Sequence, residues 1–317
     1  SVYRYLKQFL LDRRVIDLPW LLRQLLVRLV IVPFRSGSSA KLYQRLWTKE
    51  GSPIKIYGMS VARKLQQHLG DNYAVELAMR YQSPDLETAL KKLIFEIKVS
   101  EIVVFPMFPQ YASATTGSVH DEVMRLLRQW DLIPNVKMIN SYPDNPEMID
   151  VFVQNAKKYE VTSYDHFIFS FHGVPERHVK KADPSGSHCL KKENCCNLAC
   201  LENQFCYSAQ CHTTAHAIAT KLGLDKEQYS ITYQSRLGKD PWLQPYTDQT
   251  LQNQLSKGNK KILVFSPAFV ADCLETTIEI GFEYKEDFIH NGGERLDLVE
   301  SLNDNEAWVK AIANMVK

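Results

Sequence analysis

The sequence predicts an α/β fold made of two halves, each a parallel sheet flanked by helices. Two observations carry that expectation. Short apolar runs recur along the chain, and each is followed by a stretch whose apolar residues fall at helical spacing, the alternation that parallel sheets require. The alternation occurs twice, with a break near residues 140–165, and 317 residues are long enough for two such halves with sizeable cores. The boundary is placed at residue 145, giving halves of 1–145 and 146–317.

Taken in order, residues 3–10 lie inside a helical pattern. Residues 15–33 put Leu21, Leu22, Leu25, Leu26 and Leu29 on one helical face, with Arg23 and Arg28 off it. Such a stripe either packs into a core or lies in a membrane interface, apolar with flanking cations. Residues 74–81 read as a strand, and 83–92 as a helix opening on the capping pattern Ser-Pro-Asp-Leu-Glu. Strands follow at 101–106, 135–140, 166–171, 229–234 and 261–266. Helices are expected at 118–130, 147–159, 211–222, 247–257, from about 271, and at 308–317.

Hydrophobic residues make up 45% and charged residues 23%, ordinary for a globular chain. A net charge of +2 leaves no nucleic-acid footprint. No apolar run reaches the eighteen residues of a membrane span, and no signal peptide is visible. Five of the seven cysteines, Cys189, Cys195, Cys196, Cys200 and Cys206, are bunched in one loop, with five, none, three and five residues between them. Disulfide frameworks are spread along short secreted chains, so this bunching points to a reducing compartment. Thiolates this close in sequence can share a soft metal centre.

In open α/β sheets ligands bind beyond the carboxyl ends of the strands. Arg80-Tyr81, the 106–118 loop, His172, Gln234-Ser235-Arg236 and the segment running into Asp272-Cys273-Leu-Glu275 all fall at such ends. A lone histidine is more often structural than catalytic, so it is the set that points to a site. Glu275, Glu279 and Glu283 recur every four residues and share a helix face. A solvated acidic stripe is the ordinary reading. A stripe starting at a strand end can also lead a divalent cation inward or protons outward. His212 and His216, four apart after Cys211, are either exposed or a metal-binding pair.

The chain resembles the ferrochelatases, which insert Fe²⁺ into a porphyrin to make haem. The resemblance rests on Gly51-Ser-Pro-Ile, Leu77-Ala-Met-Arg-Tyr, Tyr111-Ala-Ser-Ala-Thr-Thr-Gly-Ser, Phe169-Ser-Phe-His-Gly-Val-Pro, Tyr233-Gln-Ser-Arg-Leu-Gly, Pro241-Trp-Leu-Gln-Pro-Tyr-Thr-Asp and Phe269-Val-Ala-Asp-Cys-Leu-Glu-Thr, in order along nearly the whole sequence. It implies two Rossmann-like halves, each a four-stranded parallel sheet, with a porphyrin cleft between them, the class II chelatase arrangement. His172 matches the family's active-site histidine, and Glu275 the carboxylate facing it across the porphyrin. Glu279 and Glu283 match an acidic path on a helix that is π-wound in relatives. Arg35, Ser52 and Ser235 match groups that hold propionates, and Arg80, Tyr81 and Trp242 match groups that line the cleft. Phe9, Leu10 and Val15 with the leucine-rich helix match the apolar lip that meets the membrane. The implied protein is cytoplasmic, peripheral to the cytoplasmic membrane, binds no nucleic acid, and takes Fe²⁺ and protoporphyrin IX. Coproporphyrin, or another metal and tetrapyrrole, is the alternative, since coproporphyrin's four carboxylates ask for more cations. A non-catalytic haem or iron–sulfur sensor is the reading outside enzymology, and the presence of His172 and Glu275 argues against it.

Two departures from the family pattern are expected to matter. The family's first strand, with its Asn-Leu-Gly type motif, has no counterpart in this sequence. The segment at about 185–207 looks like an insertion. Some ferrochelatases carry a [2Fe–2S] cluster, and in some bacterial relatives the ligands come from an internal segment of this kind. Four of the five loop cysteines would supply it, with only one of the adjacent Cys195 and Cys196, and a structural Zn²⁺ is the rival. Ser113 stands where the animal enzyme has its mid-chain cluster cysteine, and Cys211 and Cys273 look uninvolved.

Overall fold

A computed structural model describes residues 1–197, 200–236, 238 and 240–317; Leu198, Ala199, Leu237 and Lys239 lie outside the described residues. Chain contacts group them into two units, Ser1–Pro106 with Ser113–Asn140 and Ile312–Lys317, and Met107–Ala112 with Ser141–Ala311.

Unit 1 begins with α1 (Val2–Leu11) and α2 (Trp20–Leu25). A π-helical turn, Leu26–Ile31, carries α2 directly into α3 (Val32–Leu46). Leu10, Val27 and Val32 form a small buried cluster with Leu6, Phe9, Leu11, Ile16 and Ile31 against it. The core-facing reading of the leucine stripe is therefore corrected. Leu21, Leu22, Leu25 and Leu29 are exposed, with Trp20, Val30 and Phe34 beside them, whereas Arg23 is buried. One Arg23 nitrogen, Nη1, donates to the carbonyls of Leu18 and Ile16, at 2.8 and 3.3 Å, which helps a cation sit on the inner side. Leu10, expected at an exposed lip, is also inside.

α4 (Pro53–Leu69) follows, with proline in its first turn and Gly70 ending it at φ 76°. α5 (Leu86–Lys91) is capped by Asp85, whose carboxylate accepts from the Thr88 N–H at 2.9 Å. It runs into a second π-helix, Lys92–Ile97. β1 (Glu101–Val104) pairs in parallel with β2 (Asn135–Met138), and α6 (Thr116–Leu127) connects them. Residues 74–81, read as a strand, are extended but join no ladder. The Val75 N–H donates to the Gln66 side chain, and Met79 makes only an isolated bridge to Asp85. With no partner strand alongside, the backbone groups are satisfied elsewhere. Among the described residues the sheet of unit 1 therefore has two strands rather than four.

Unit 2 holds the full four-stranded parallel sheet. α7 (Pro146–Ala156) leads to β3 (His166–His172), then α8 (Glu176–Lys181) and α9 (Tyr207–Leu222) lead to β4 (Tyr229–Gln234). α10 (Thr247–Ser256), β5 (Lys261–Phe265), a π-helix Leu274–Tyr284, α11 (Lys285–His290) and β6 (Arg295–Leu298) follow, and the first half of α12 (Glu306–Val316), to Ala311, completes it. The spatial order is β4-β3-β5-β6. β3 is central and nearly wholly buried, which explains its continuous apolar run. The chain leaves β3 for β4 on one side and then crosses to β5 on the other. His172, the last residue of β3, therefore sits where the direction of winding reverses, the switch point at which α/β sheets place ligands.

Candidate active site

His172 is held on three sides. Its Nδ1 lies 2.6 Å from the Gly173 carbonyl, which can only accept, so Nδ1 carries the proton. In the neutral ring Nε2 is then the bare, basic nitrogen. The His172 carbonyl accepts a 2.8 Å bond from the Tyr207 hydroxyl, and the imidazole meets the Phe269 ring edge-on at 6.2 Å. The Gly173 N–H donates to the Gln234 carbonyl at 2.7 Å. A Cβ on residue 173 would lie 2.8 Å from that carbonyl and 3.2 Å from the Trp242 ring, so glycine is required by close approach rather than by a positive φ. Trp242, expected as a lining residue, thus packs beside Gly173 and bridges Pro175.

Gln234 pairs with His172 in the β3–β4 register. Its side-chain oxygen accepts from the Ser170 hydroxyl at 2.6 Å, which orients the amide. The amide nitrogen then donates to the Glu275 carbonyl at 3.0 Å and to the Glu279 carboxylate at 3.2 Å. One side chain thereby ties the histidine strand to the acidic helix. Glu279 also accepts from the Ser235 hydroxyl and, at 2.9 Å, from Tyr284. Burial, then the neighbouring Glu279 charge, pushes the Tyr284 phenol up, so it stays a donor at neutral pH. Ser235 holds its position with a left-handed backbone, φ 64°, a cost that a surrounding site must hold in place. Its hydroxyl is engaged by Glu279, so a propionate would have to displace that carboxylate to use it.

The acidic helix is π-wound from Leu274 to Tyr284, eleven residues, as the resemblance implied. π-helices are rare and mark functional sites. The wider turn brings a four-residue spacing nearer to a full turn than an α-helix does, so the three carboxylates stack more closely. Glu275 and Glu279 are half-buried and Glu283 is exposed, so the row leads from solvent inward.

In unit 1, Arg80 and Tyr81 are drawn to Asp12. The Asp12 carboxylate accepts from Arg80 at 2.8 Å, from the Tyr81 hydroxyl at 2.9 Å and from Ser118. Arg80 also donates to Ser118, and its guanidinium lies 4.7 Å from the centre of the Tyr81 ring. Phe9 and Tyr5 pack edge-on against Tyr81. Arg35 is exposed on α3, and Ser52 is the N-cap of α4, with no capping bond from its side chain.

The cysteine-rich loop gathers most of its sulfurs. Cys195 and Cys196 Sγ are 3.9 Å apart, and Cys206 exchanges hydrogen bonds with both Cys196 and Cys189. Cys196 is raised first by its neighbour Cys206 and then by burial; burial is the largest cause for Cys189 and Cys195, so all three are protonated thiols at neutral pH. Cys200 turns away, 3.6 Å from His188 Nε2, and His188, Cys200 and Glu202 offer donor atoms within 4.8 Å of one another. The Asp183 carboxylate organises the loop entry, accepting from the Ser185 hydroxyl and from the N–H groups of Cys189, His188 and Ser185, which hold its carboxyl well below the usual range. Cys211, set apart by its sequence position, is buried with its thiol in reach of Cys196 and Tyr207. Burial also raises the Cys273 thiol. His212 and His216 face each other at 5.8 Å, and the His216 Nδ1 bonds Tyr229 at 2.7 Å. No third ligand joins them among the described residues. Burial lowers His212 to about 4, so it is neutral there.

Four residues here were not singled out for a role in the sequence: Asp12, Tyr207, Gln234 and Tyr284. Gln234 lay at a flagged strand end, and Tyr284 lies one residue past Glu283, so each had a positional signal. Asp12 and Tyr207 had none, because their partners are 68 and 35 positions away.

Comparison with known proteins agrees with these features. The ferrochelatase family model matches residues 1–317. A ferrochelatase of Pseudomonas fluorescens is 44% identical over 99% of this chain and 92% of that protein. One from Legionella pneumophila is 42% identical over 100% of this chain and 93% of its own length, and one from Coxiella burnetii is 42% identical over 100% and 88%. Among solved structures, SirB from Bacillus subtilis with Fe³⁺ shares the fold, with a TM-score of 0.56 at 11% identity over 83% of this chain and 90% of that one. With an α/β architecture, a histidine at the sheet's switch point and full-length matches of this strength, the chain belongs to the ferrochelatase family, enzymes that insert metal into porphyrin.

Proposed function

We propose that this protein inserts Fe²⁺ into protoporphyrin IX to give protohaem, with the chemistry carried by His172 and the carboxylates of the helix that Gln234 ties to its sheet. Metallation releases two pyrrole protons and strips water from the iron. The observation that carries the reading is the tautomer of His172: Nδ1–H is committed to the Gly173 carbonyl, leaving Nε2 to accept a pyrrole proton or to meet the incoming iron. Glu275 is the carboxylate partner. Glu279 and Glu283 pass the cation inward or protons outward. Distortion of the macrocycle exposes the pyrrole lone pairs at the expense of remote binding energy. Arg35 and Ser52 are the propionate ligands, since a guanidinium fork suits a carboxylate. Arg80 and Tyr81 form a firm wall rather than a free donor pair, being engaged by Asp12. His172→Ala should retain porphyrin binding, read by fluorescence quenching, while losing metallation by at least a hundredfold. A variant that turns over near the wild-type rate would refute the assignment.

The loop is read as a [2Fe–2S] site. Four of the thiols of Cys189, Cys195, Cys196, Cys200 and Cys206 fit by number and softness, and ligation by Cys189, Cys195 or Cys196 would need their protons removed. The His188, Cys200 and Glu202 group favours a second reading, Zn²⁺, which takes mixed nitrogen, sulfur and oxygen ligands. Iron, sulfide and zinc analysis with the visible spectrum separates the two. A brown protein with equal iron and acid-labile sulfide supports the cluster, whereas a colourless one holding zinc replaces it.

The exposed face of α2 and its π-turn is read as a contact with the cytoplasmic face of the membrane. No helix among the described residues is long and apolar enough to cross one. Leu21→Ser with Leu25→Ser and Leu29→Ser should abolish co-flotation with anionic vesicles; unchanged flotation would sink the idea.

A further inference from the structure

The cysteine-rich loop and the metallation histidine belong to the same unit and are joined by very few atoms. Cys206, buried at 1% exposure, is followed immediately by Tyr207, itself 7% exposed. The Tyr207 hydroxyl donates to the backbone carbonyl of His172 at 2.8 Å. It also exchanges a hydrogen bond with the Cys211 thiol, which lies near Cys196. A second route runs beside the first. The Cys196 thiol donates to the Ser208 hydroxyl at 3.2 Å, and that hydroxyl meets the Tyr233 hydroxyl at 2.8 Å. Tyr233 pairs with Phe171 in the sheet, one residue before His172.

We infer that Tyr207 is a positioning residue for His172, and that through it the filling of the cysteine loop sets the placement of the imidazole. The argument is one of geometry. The His172 ring is anchored to the Gly173 carbonyl, and the 172–173 peptide beside it is held by its Gly173 N–H to Gln234 and by its His172 carbonyl, so the placement of this stretch of backbone bears on where Nε2 points. Tyr207 holds the oxygen at the other end of that residue. A buried phenol has few alternative partners, so a shift of Cys206 must be taken up either by breaking this bond or by moving the histidine. Ligation of Cys206 by a metal centre would fix the first residue of α9 and hence the phenol. An empty loop would leave it to follow the chain. This inference rests on the function proposed above, for both the histidine and the loop.

The test uses the full chain, as isolated and after removal of loop metal with a chelator. Tyr207→Phe keeps the ring and removes only the donor. It should lower kcat about tenfold with the porphyrin KM within about twofold, since misplacing a proton acceptor costs turnover rather than binding. Loop metal content should be unchanged. Amide exchange at Gly173 in the substrate-free protein should speed up about tenfold. Emptying the loop of the unsubstituted protein should produce the same Gly173 acceleration and a similar loss of kcat, yet add little in Tyr207→Phe. A Tyr207→Phe protein with normal kcat and Gly173 exchange would overturn the positioning role while leaving the proposed function standing. Equal proportional losses on emptying both proteins would overturn the transmission through Tyr207. A loop that carries no metal as isolated would overturn the transmission and the loop reading together, and an active His172→Ala would overturn the function itself.

Discussion

Two carboxylates, Asp12 in unit 1 and Glu279 in unit 2, each collect three side-chain donors, but the donors differ in charge. Asp12 takes a guanidinium, a phenol and a hydroxyl. Its side chain is 4% exposed and its Arg80 partner 22%, so the charge is balanced where water is scarce. Glu279 takes an amide, a hydroxyl and a phenol, all neutral. Neutral donors orient a carboxylate without cancelling its charge. Asp12 therefore serves as an anchor that fixes α1 to the 80–81 segment. Glu279, held by neutral donors alone, is the carboxylate proposed above to serve a cation or proton in transit.

The largest separation should come from Asp12→Ala. It strands the Arg80 guanidinium and should lower stability by about 3 kcal/mol, because removing one partner of a buried pair leaves an uncompensated charge. Denaturant titration of Asp12→Ala, Arg80→Leu and the double variant reads the coupling. If the single loss is below about 1 kcal/mol, or the double loss is the sum of the singles, the anchor reading fails.

Acid should then act on unit 2 through its buried histidines. Burial lowers His166 and His212 to about 4, below the ordinary value of 6.5. Between about pH 6.5 and 4 the unfolded chain binds protons that the folded chain does not, so stability falls as pH falls through that window. The loss should be on the order of 2 kcal/mol, after allowance for water reaching the partly exposed His212 ring. His212→Gln should flatten the pH dependence of the melting temperature between 6.5 and 4. An unchanged slope would remove His212 from the account.

Much of this arrangement was legible in the sequence, and the failures have definite causes. The strands at 166–172, 229–234 and 261–265 announce themselves because a sheet covered on both faces needs continuous apolar runs. β6 was missed because its four residues, Arg-Leu-Asp-Leu, alternate charge and leucine at an edge. The leucine stripe left two readings open, core or membrane interface, because periodicity reports which residues share a face and not which way that face points. Arg23 lies off the leucine face, as expected, and that places it on the inner side, where its Nη1 donates to two carbonyls. His172 and the glutamate row were readable from type and spacing. The donors that orient them were not, since Gln234 and Tyr207 act through contacts made only in the folded chain.

The comparison is next sharpened by Glu279→Gln, which keeps shape and loses charge. Turnover should fall about tenfold, some 1.4 kcal/mol of barrier, while the melting temperature stays within a few degrees. A large loss of stability with normal turnover would make Glu279 an anchor like Asp12.

The smallest effect should be that of Tyr284→Phe. The phenol gives Glu279 one of its three bonds, at 2.9 Å, and the site is half-buried, so the bond is worth less than the 1.5–3 kcal/mol typical of a buried charged acceptor, about 0.5–1 kcal/mol. Gln234 and Ser235 still hold the carboxylate. Removing the hydroxyl leaves the negative charge in place and loosens only its orientation. The KM for Fe²⁺ should then rise about twofold to threefold, with the porphyrin KM unchanged, if the carboxylate handles the metal and not the macrocycle, as proposed above. A change in the porphyrin KM alone would mean that Tyr284 and Glu279 act on the tetrapyrrole. In that case the neutral donors around Glu279 would be arranged for recognition of the substrate ring rather than for passage of the cation.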